Sequence, residues 1–408
     1  MDMIPSRPPP AGQRGVQAWL RRNLFSGWVN SIVSLVVGYL VVVSTINLTR
    51  WVVTGASWEP VWNNMKLLAI YRYPMELAWR PVIAVGVFLM LTGLSAALGR
   101  RAGKGKIIGG LYAWLTGLVV VLTVIAWLAW PSVREAWTAA TFMAAGGYLA
   151  GWFVPKLVRA QAWLWSAGLP VVLVLVYGLG GEGPWATVRT LEWGGFMLTI
   201  VIAVFGITVS FPLGIALALG RRSSLPAIKY FSIGFIELIR GAPLITWLFI
   251  ASLMVPLLLD TSPDSIPALA RALVAVTLFS AVYMAENVRG GLQSVPNGQR
   301  EAARALGLSG WQTTRLIVLP QALRAVIPVL VGQAIGLFKD TSLVFIVGLH
   351  DFFEIGRRII PSQPESLLYP GGVLLELSLF MAAVYWFFSY RMSIASRQLE
   401  KELGVGER

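Results

Sequence analysis

Residues 196–219 read FMLTIVIAVFGITVSFPLGIALAL, a run of 24 positions without one ionised side chain. A bilayer core is crossed by roughly 20 apolar residues of helix, and a water-soluble domain has no comparable use for such a run. Val82–Leu98, Leu111–Trp130, Trp163–Leu179 and Ala242–Leu259 are equally free of charge, and Val373–Phe388 carries only Glu376. Across all 408 residues 56% are hydrophobic and 13% charged, against about 25% charged in a soluble domain. The chain is an all-α, polytopic membrane helix bundle.

Working outward from that run, about ten transmembrane helices are expected near 28–47, 81–98, 110–130, 138–154, 163–179, 195–219, 242–259, 266–285, 326–348 and 371–389. Residues 1–24 contain Pro and Arg and are expected to be a flexible tail. The apolar run after Arg21 and Arg22 is too long for a signal-peptide core and has no convincing small-residue cleavage site, so it is expected to stay as a first span. Gly147 and Gly151, four apart, permit a close helix contact or are simply small residues in an apolar run.

Lys and Arg gather on alternate loops. Arg100, Arg101, Lys104 and Lys106 follow the second span, Lys156 and Arg159 the fourth, and Arg221, Arg222 and Lys229 the sixth. Arg289, Arg300, Arg304, Arg315 and Arg324 follow the eighth, and Arg391, Arg397 and Lys401 the tenth. Such loops face the cytoplasm, which puts both termini inside. The loop 48–80 departs from this alternation. The formal net charge of +14 is accounted for by the same bias. Nucleic-acid binding would need a basic face on a soluble module, and none is visible.

The chain has no cysteine and one histidine, His350. Disulfides, thiolate chemistry and multi-histidine metal sites are excluded, and the acidic residues form no cation-binding loop. His350 lies in an external loop and receives no role. The segment Gly99–Lys106 superficially resembles a phosphate loop, but no Ser or Thr follows Lys104 and no strand precedes it. Energy for any pumping must come from another chain.

The most patterned stretch is residues 283–328, YMAENVRGGLQSVPNGQREAARALGLSGWQTTRLIVLPQALRAVIP. It is too polar to cross a bilayer and lies between two spans on the basic side. Val295–Gly298 reads as a turn and Gln299–Leu306 as a short helix of strong formers. Gly307 reads as its stop. Ser309 then caps a second short helix over Trp311–Val318, expected to end at Pro320. A small-residue face at Ala302 and Ala303 beside the fixed charge of Glu301 suits a knob that docks into a partner's cleft.

Glu301-Ala302-Ala303, Gly307, Ile317 and Leu319-Pro320 match, in every spacing, the signature of permease subunits of bacterial ATP-binding-cassette importers. The resemblance implies that this helix couples an ATPase dimer to the membrane bundle. Glu237-Leu-Ile-Arg240-Gly241-Ala242-Pro243-Leu244, Glu286-Asn287-Val-Arg289-Gly290-Gly291 and Lys339-Asp340-Thr341-Ser342-Leu343 resemble the polar amino-acid permeases of the histidine and glutamine type over roughly 195–400. Ala242 stands where those permeases mostly carry Thr. Tyr73-Pro74 and Trp79-Arg80-Pro81 resemble larger general amino-acid permeases. The domains implied are a tail at 1–24, a five-span extension at 25–190, and an importer core of five helices at 191–408 with its coupling helix at 295–320. The partners implied are an ATPase dimer, a sister or identical permease, an external amino-acid-binding protein, the amino-acid substrate and the lipid bilayer of the inner membrane. ATP and Mg²⁺ belong on the partner, with no cofactor bound by this chain and no covalent chemistry performed by it.

Lys339, Asp340, Thr341 and Ser342 are expected mid-span. Buried ionisable groups face a wet cavity or a partner, so these residues border a path for a zwitterion or form a structural ion pair or helix break. Neighbours on a helix diverge by about 100°, so Lys339 and Asp340 point different ways. Glu237 and Arg240, three apart, precede Pro243, which can open a helix. They form an interfacial elbow and a cytoplasmic gate contact, or a plain salt bridge at a helix end; Glu286 and Arg289 are grouped with them as path or gate residues. Gly332 and Gly336 suit close packing against a second subunit or within this one. The rival function is an ion-coupled secondary transporter, which would need matching broken helices in two inverted halves, and these halves do not match. A scaffold without transport would leave the 283–328 loop idle. Which amino acids are carried, and whether the permease pairs with itself, is not written in these residues.

Overall fold

The computed structural model describes residues 15–102, 106–259, 265–369 and 372–403. The chain divides between Glu59 and Pro60 into two compact units. In the first, Val16–Asn23 forms a short helix with Arg21 and Arg22 in its last turn, so part of the stretch expected to be flexible is helical. Trp28–Arg50 (α1) continues through a π turn, Trp51–Gly55, as one apolar helix of 28 residues.

The short helix Glu59–Asn63 begins at the division, and Met65–Ile70 follows it in the second unit. Four longer helices follow: α2 (Trp79–Arg101), α3 (Lys106–Ala129), α4 (Arg134–Phe153) and α5 (Gln161–Tyr177). Next come α6 (Gly195–Gly220), α7 (Pro226–Arg240), α8 (Leu244–Leu258) and α9 (Ala268–Ser294). The last three are α10 (Asn297–Ala305), α11 (Leu319–Asp340) and α12 (Leu374–Leu403). Among the described residues seven helices are long and apolar enough to cross a membrane, and eight if the bent pair α7–α8 counts as one span. The two other expected spans are present as α4, which opens on Arg134 and Glu135, and α5, which has only 17 residues.

Three local expectations are revised. The segment expected as a basic loop through Lys229, with a helix end or elbow at Glu237 and Arg240, is the 15-residue helix α7, bent by 100° from α8. It buries Ser232, Ile236 and Ile239 at successive turns and exposes Tyr230, Phe231 and Leu238. With its 100° bend the pair α7–α8 is a broken span or a re-entrant loop. Pro320 does not end a helix. A π-helical stretch at Thr313–Val318 precedes it, so Pro320 falls in the first turn of α11, where a missing N–H costs nothing. Residues 99–102 of the phosphate-loop look-alike lie at the end of α2, whereas Gly103–Gly105 fall outside the described residues.

Helices α2 and α4 pack backbone to backbone. A side chain on Gly147 would collide with the Met90 carbonyl, and one on Gly151 would come within 2.6 Å of Leu94 O. Gly86 faces Ala140 Cα at 3.0 Å in the same way. The paired glycines therefore make the close contact that their spacing permits. Gly147→Val, which overpacks this seam, is expected to lower the yield of folded protein at least about tenfold. Gly146→Val, where nothing lies within 4 Å, should express normally in the same membranes.

The motif Tyr73–Pro81 pins the loop after α5. Arg80 is fully buried, donates from Nε to Pro184 O at 2.9 Å and from Nη1 to Ala186 O at 2.9 Å, and lies between the Trp79 and Trp185 rings. Tyr73 OH donates to Val176 O at 2.7 Å. Guanidinium–ring contacts and carbonyl acceptors together replace the water that a buried cation loses.

Helices α6 and α9 run side by side, because Gly214 lets the Met284 Cβ and the Ala281 carbonyl approach closely. Helix α11 returns along both. Gly206 faces Leu337 and Gly291 faces the Ala322 carbonyl at 2.5 Å. At the far end, Gly194 and Gly195 bridge in parallel to His350 and Asp351. Gly195 adopts a left-handed φ of 62° with Leu68 O where a Cβ would be, so only glycine fits there.

Candidate coupling loop and transport groove

Helix α9 stops at Ser294, and Pro296 caps α10. Gly307 takes a left-handed φ of 79° after Leu306, as its position predicts. Ser309 and Gln312 form a reciprocal capping box, Ser309 Oγ accepting from Gln312 N at 3.3 Å and Gln312 Oε1 from Ser309 N at 2.9 Å. These local signals organise the loop before any tertiary contact is made.

Tertiary packing then chooses its faces. Ala303 is buried, as are Val295 and Val318, while Glu301, Ala302 and Leu306 stay exposed. Trp311 and Leu316 are exposed on the same loop, and Ile317 and Leu319 are half-buried. The tripeptide Glu301-Ala302-Ala303 thus divides its labour: Ala303 anchors the helix, and Glu301 and Ala302 face outward.

Above the loop, Glu286 on α9 is the hub of an ion-pair cluster. Its carboxylate accepts from Arg221 Nη1 at 2.8 Å and Arg289 Nη2 at 2.8 Å, with Arg240 Nη1 at 3.7 Å. Arg221 also donates to Glu237 Oε1 at 3.1 Å. Glu237 and Arg240, three apart on α7, therefore do not pair with each other. Each turns to a different helix, and the cluster ties the ends of α6, α7 and α9 together. In the sequence Arg221 is marked only as one of the basic loop residues after the sixth span. Nothing local marks it, because its partners lie 16 and 65 residues away.

Arg240 also stacks over the Tyr283 ring, 5.8 Å from its centroid, and Tyr283 lines a groove of about 520 Å³. One wall is Phe279, Tyr283 and Asn287, successive turns of α9. The other is Val329, Gly332, Gln333, Gly336 and Asp340 of α11. Gly332 and Gly336 have nothing within 4 Å of where a Cβ would stand, so they do not serve packing within this chain.

Lys339 and Asp340 lie at the last turn of α11, where the chain tightens to a 3-10 helix over Thr341–Val347 within the continuous span Gly310–Val347. The two diverge as adjacent helical residues must: Asp340 lines the groove and Lys339 is exposed elsewhere. Thr341 is fully buried with its hydroxyl on Phe338 O at 2.8 Å, and Ser342 is half-buried. Thr341 is thus a helix-end device and does not line the groove.

At the opposite end of the bundle, Asp351 is fully buried and accepts from Phe353 N and Glu354 N at 3.1 Å. Burial pushes its carboxyl up to about 6, against the lowering effect of those two bonds. His350, to which no role was given, packs on Tyr71 with ring centroids 5.0 Å apart. Among the described residues no three carboxylate or imidazole side chains cluster to hold a metal ion.

The second unit is thus a helical bundle with an open groove lined by Asn287, Gln333 and Asp340 and a structured polar loop after α9. Residues 210–404 match the family described as the binding-protein-dependent transport system inner membrane component. The inner membrane amino-acid ABC transporter permease protein YhdY of Escherichia coli is 37% identical, over 98% of this chain and 97% of its own. The glutamate/glutamine/aspartate/asparagine transport system permease protein BztC of Rhodobacter capsulatus is 36% identical over the same shares. A solved amino acid ABC transporter with histidines covers 51% of this chain and 92% of its own, at 28% identity and a TM-score of 0.45. The chain belongs to the permease family of amino-acid ABC transporters and is a multi-pass inner-membrane protein.

Proposed function

We propose that this chain forms the transport path of an amino-acid importer and is driven by a separate ATPase dimer that docks on α10. The observation that carries this reading is the orientation of α10: Ala303 anchors it to the bundle while Glu301 and Ala302 face outward, directly below the Glu286 cluster. Gly307, Ile317, Leu319 and Pro320 shape the turn and lead into α11, so displacement of α10 moves a helix that lines the groove. In this reading residues 295–320 and both termini are cytoplasmic. Residues 1–24 are the tail, 25–190 the extension and 191–408 the transport core. The open Gly332–Gly336 face meets a second permease, identical or sister, and an external binding protein supplies substrate. ATP and Mg²⁺ reside on the partner, and this chain binds no cofactor of its own.

For the substrate, Asn287, Gln333 and Asp340 offer amide and carboxylate groups to a zwitterion, with Asp340 meeting its ammonium. Glu237, Arg240, Glu286 and Arg289 form the gate at the coupling end, while Lys339, Thr341 and Ser342 hold the helix break that aims Asp340. The test is reconstitution of this chain with ATPase and binding protein in proteoliposomes. Uptake is expected to require ATP and to survive collapse of ion gradients. Asp340→Asn should cut uptake about tenfold or more at normal folded yield, as loss of one charge-assisted bond predicts. Uptake that tracks an ion gradient without ATP defeats the proposal. Lost yield with normal specific uptake removes Asp340 from the path.

A further inference from the structure

Leu292 belongs to the last turn of α9, where helix carbonyls lack an intrahelical donor. Its oxygen accepts two hydrogen bonds from two other elements. Arg222, just beyond α6, donates from Nη1 at 3.0 Å, and Arg300 of α10 donates from Nη2 at 3.2 Å. Cations are favoured at a helix C-terminus, but two guanidiniums on one neutral oxygen also repel. Burial holds Arg222 below the ordinary arginine range, and the neighbouring Arg300 lowers it further.

The position of this joint gives it consequence. Arg221 and Arg222 are consecutive: one grips Glu286 and Glu237, the other the root of the coupling loop. Helix α10 leaves α9 through Val295 and Pro296 and touches α11 through Gln299, whose Oε1 accepts from Gln321 at 3.4 Å. Arg300 is the side chain by which α10 reaches back to the end of α9.

We infer that Arg222 and Arg300, meeting on the Leu292 carbonyl, are positioning residues that carry displacement of α10 to α6 and, through Arg221, to the Glu286 cluster. This rests on the reading of α10 as the coupling helix. The joint delivers one motion to two outputs, since α11 follows α10 along the chain while α6 follows it through the arginines.

The experiment uses the full complex of permease, ATPase and binding protein in proteoliposomes, and reads amino acid taken up per ATP hydrolysed. R222Q should lower that ratio about tenfold through loss of one charge-assisted bond, with assembly and ATP hydrolysis retained. R222K, which can still donate to the carbonyl, should recover part of it. R222Q combined with R300Q should be no worse than the worse single variant, because both act through one joint. An unchanged ratio in R222Q overturns the inference, and so does parallel loss of assembly, hydrolysis and uptake. Glu301→Lys in the same preparation separates the two layers. If it leaves ATPase binding intact, the coupling-helix reading itself fails. If it abolishes binding while R222Q keeps a normal ratio, only the arginine joint fails.

Discussion

Replacing Glu301 with Lys is expected to abolish copurification of the partner ATPase and to reduce ATP-driven uptake about a hundredfold, the scale for reversing a charge at a docking contact. Glu301 is exposed on α10 and none of the hydrogen bonds or ion pairs described for this chain involves it, so its loss leaves the permease's own fold without a missing contact. Folded yield and detergent melting temperature should therefore match the unsubstituted protein. Ala303→Leu is the informative contrast. Ala303 is buried, and enlarging it should destabilise by about 1–3 kcal/mol and lower yield as well as uptake. If Glu301→Lys binds the ATPase normally, the docking knob lies elsewhere on the chain.

The second large effect is expected at Glu286. Its side chain is 15% exposed and faces Arg221, Arg240 and Arg289. In Glu286→Ala those three cations are left with Glu237 alone, which reaches only Arg221. Removing one partner of a half-buried pair leaves uncompensated charge, at a cost of about 2 kcal/mol or more. The melting temperature in detergent should fall by several degrees, and uptake should fall further than stability alone requires, because the ends of α6, α7 and α9 are no longer held together. Adding Arg289→Ala should recover part of the melting temperature by removing one of the two charges left without a carboxylate. Equal melting temperatures for Glu286→Ala and the unsubstituted protein would show that the cluster carries no structural load.

The two sites differ in how much of them the residues announced. The coupling loop was legible because its signals are short-range: a proline turn, a capping pair three residues apart, a glycine in left-handed conformation, and a spaced signature from Glu301 to Pro320. The one local error, Pro320 as a terminator, arose because a π-helical turn places that proline in a first turn, where it is harmless. The groove was half legible. Asp340 was singled out and lines it, whereas Lys339 and Thr341, next to it in sequence, do not. Asn287 was quoted only within a motif, and Tyr283 and Gln333 carried no signal of their own. Their common property, facing one groove, belongs to two antiparallel helices and not to any segment.

What the sequence determined by itself is that this chain lives in a membrane and sets a polar loop of defined turns between two of its spans. Run length, charge and turn chemistry act over a few residues, and the bilayer and the backbone enforce them locally. Tertiary structure alone decided that Glu237 and Arg240 part company, that Arg221 joins them to Glu286, and that Arg222 reaches Leu292 across 70 residues of chain. Those outcomes depend on which glycines let helices approach, and a side chain finds its partner only after the backbones have packed.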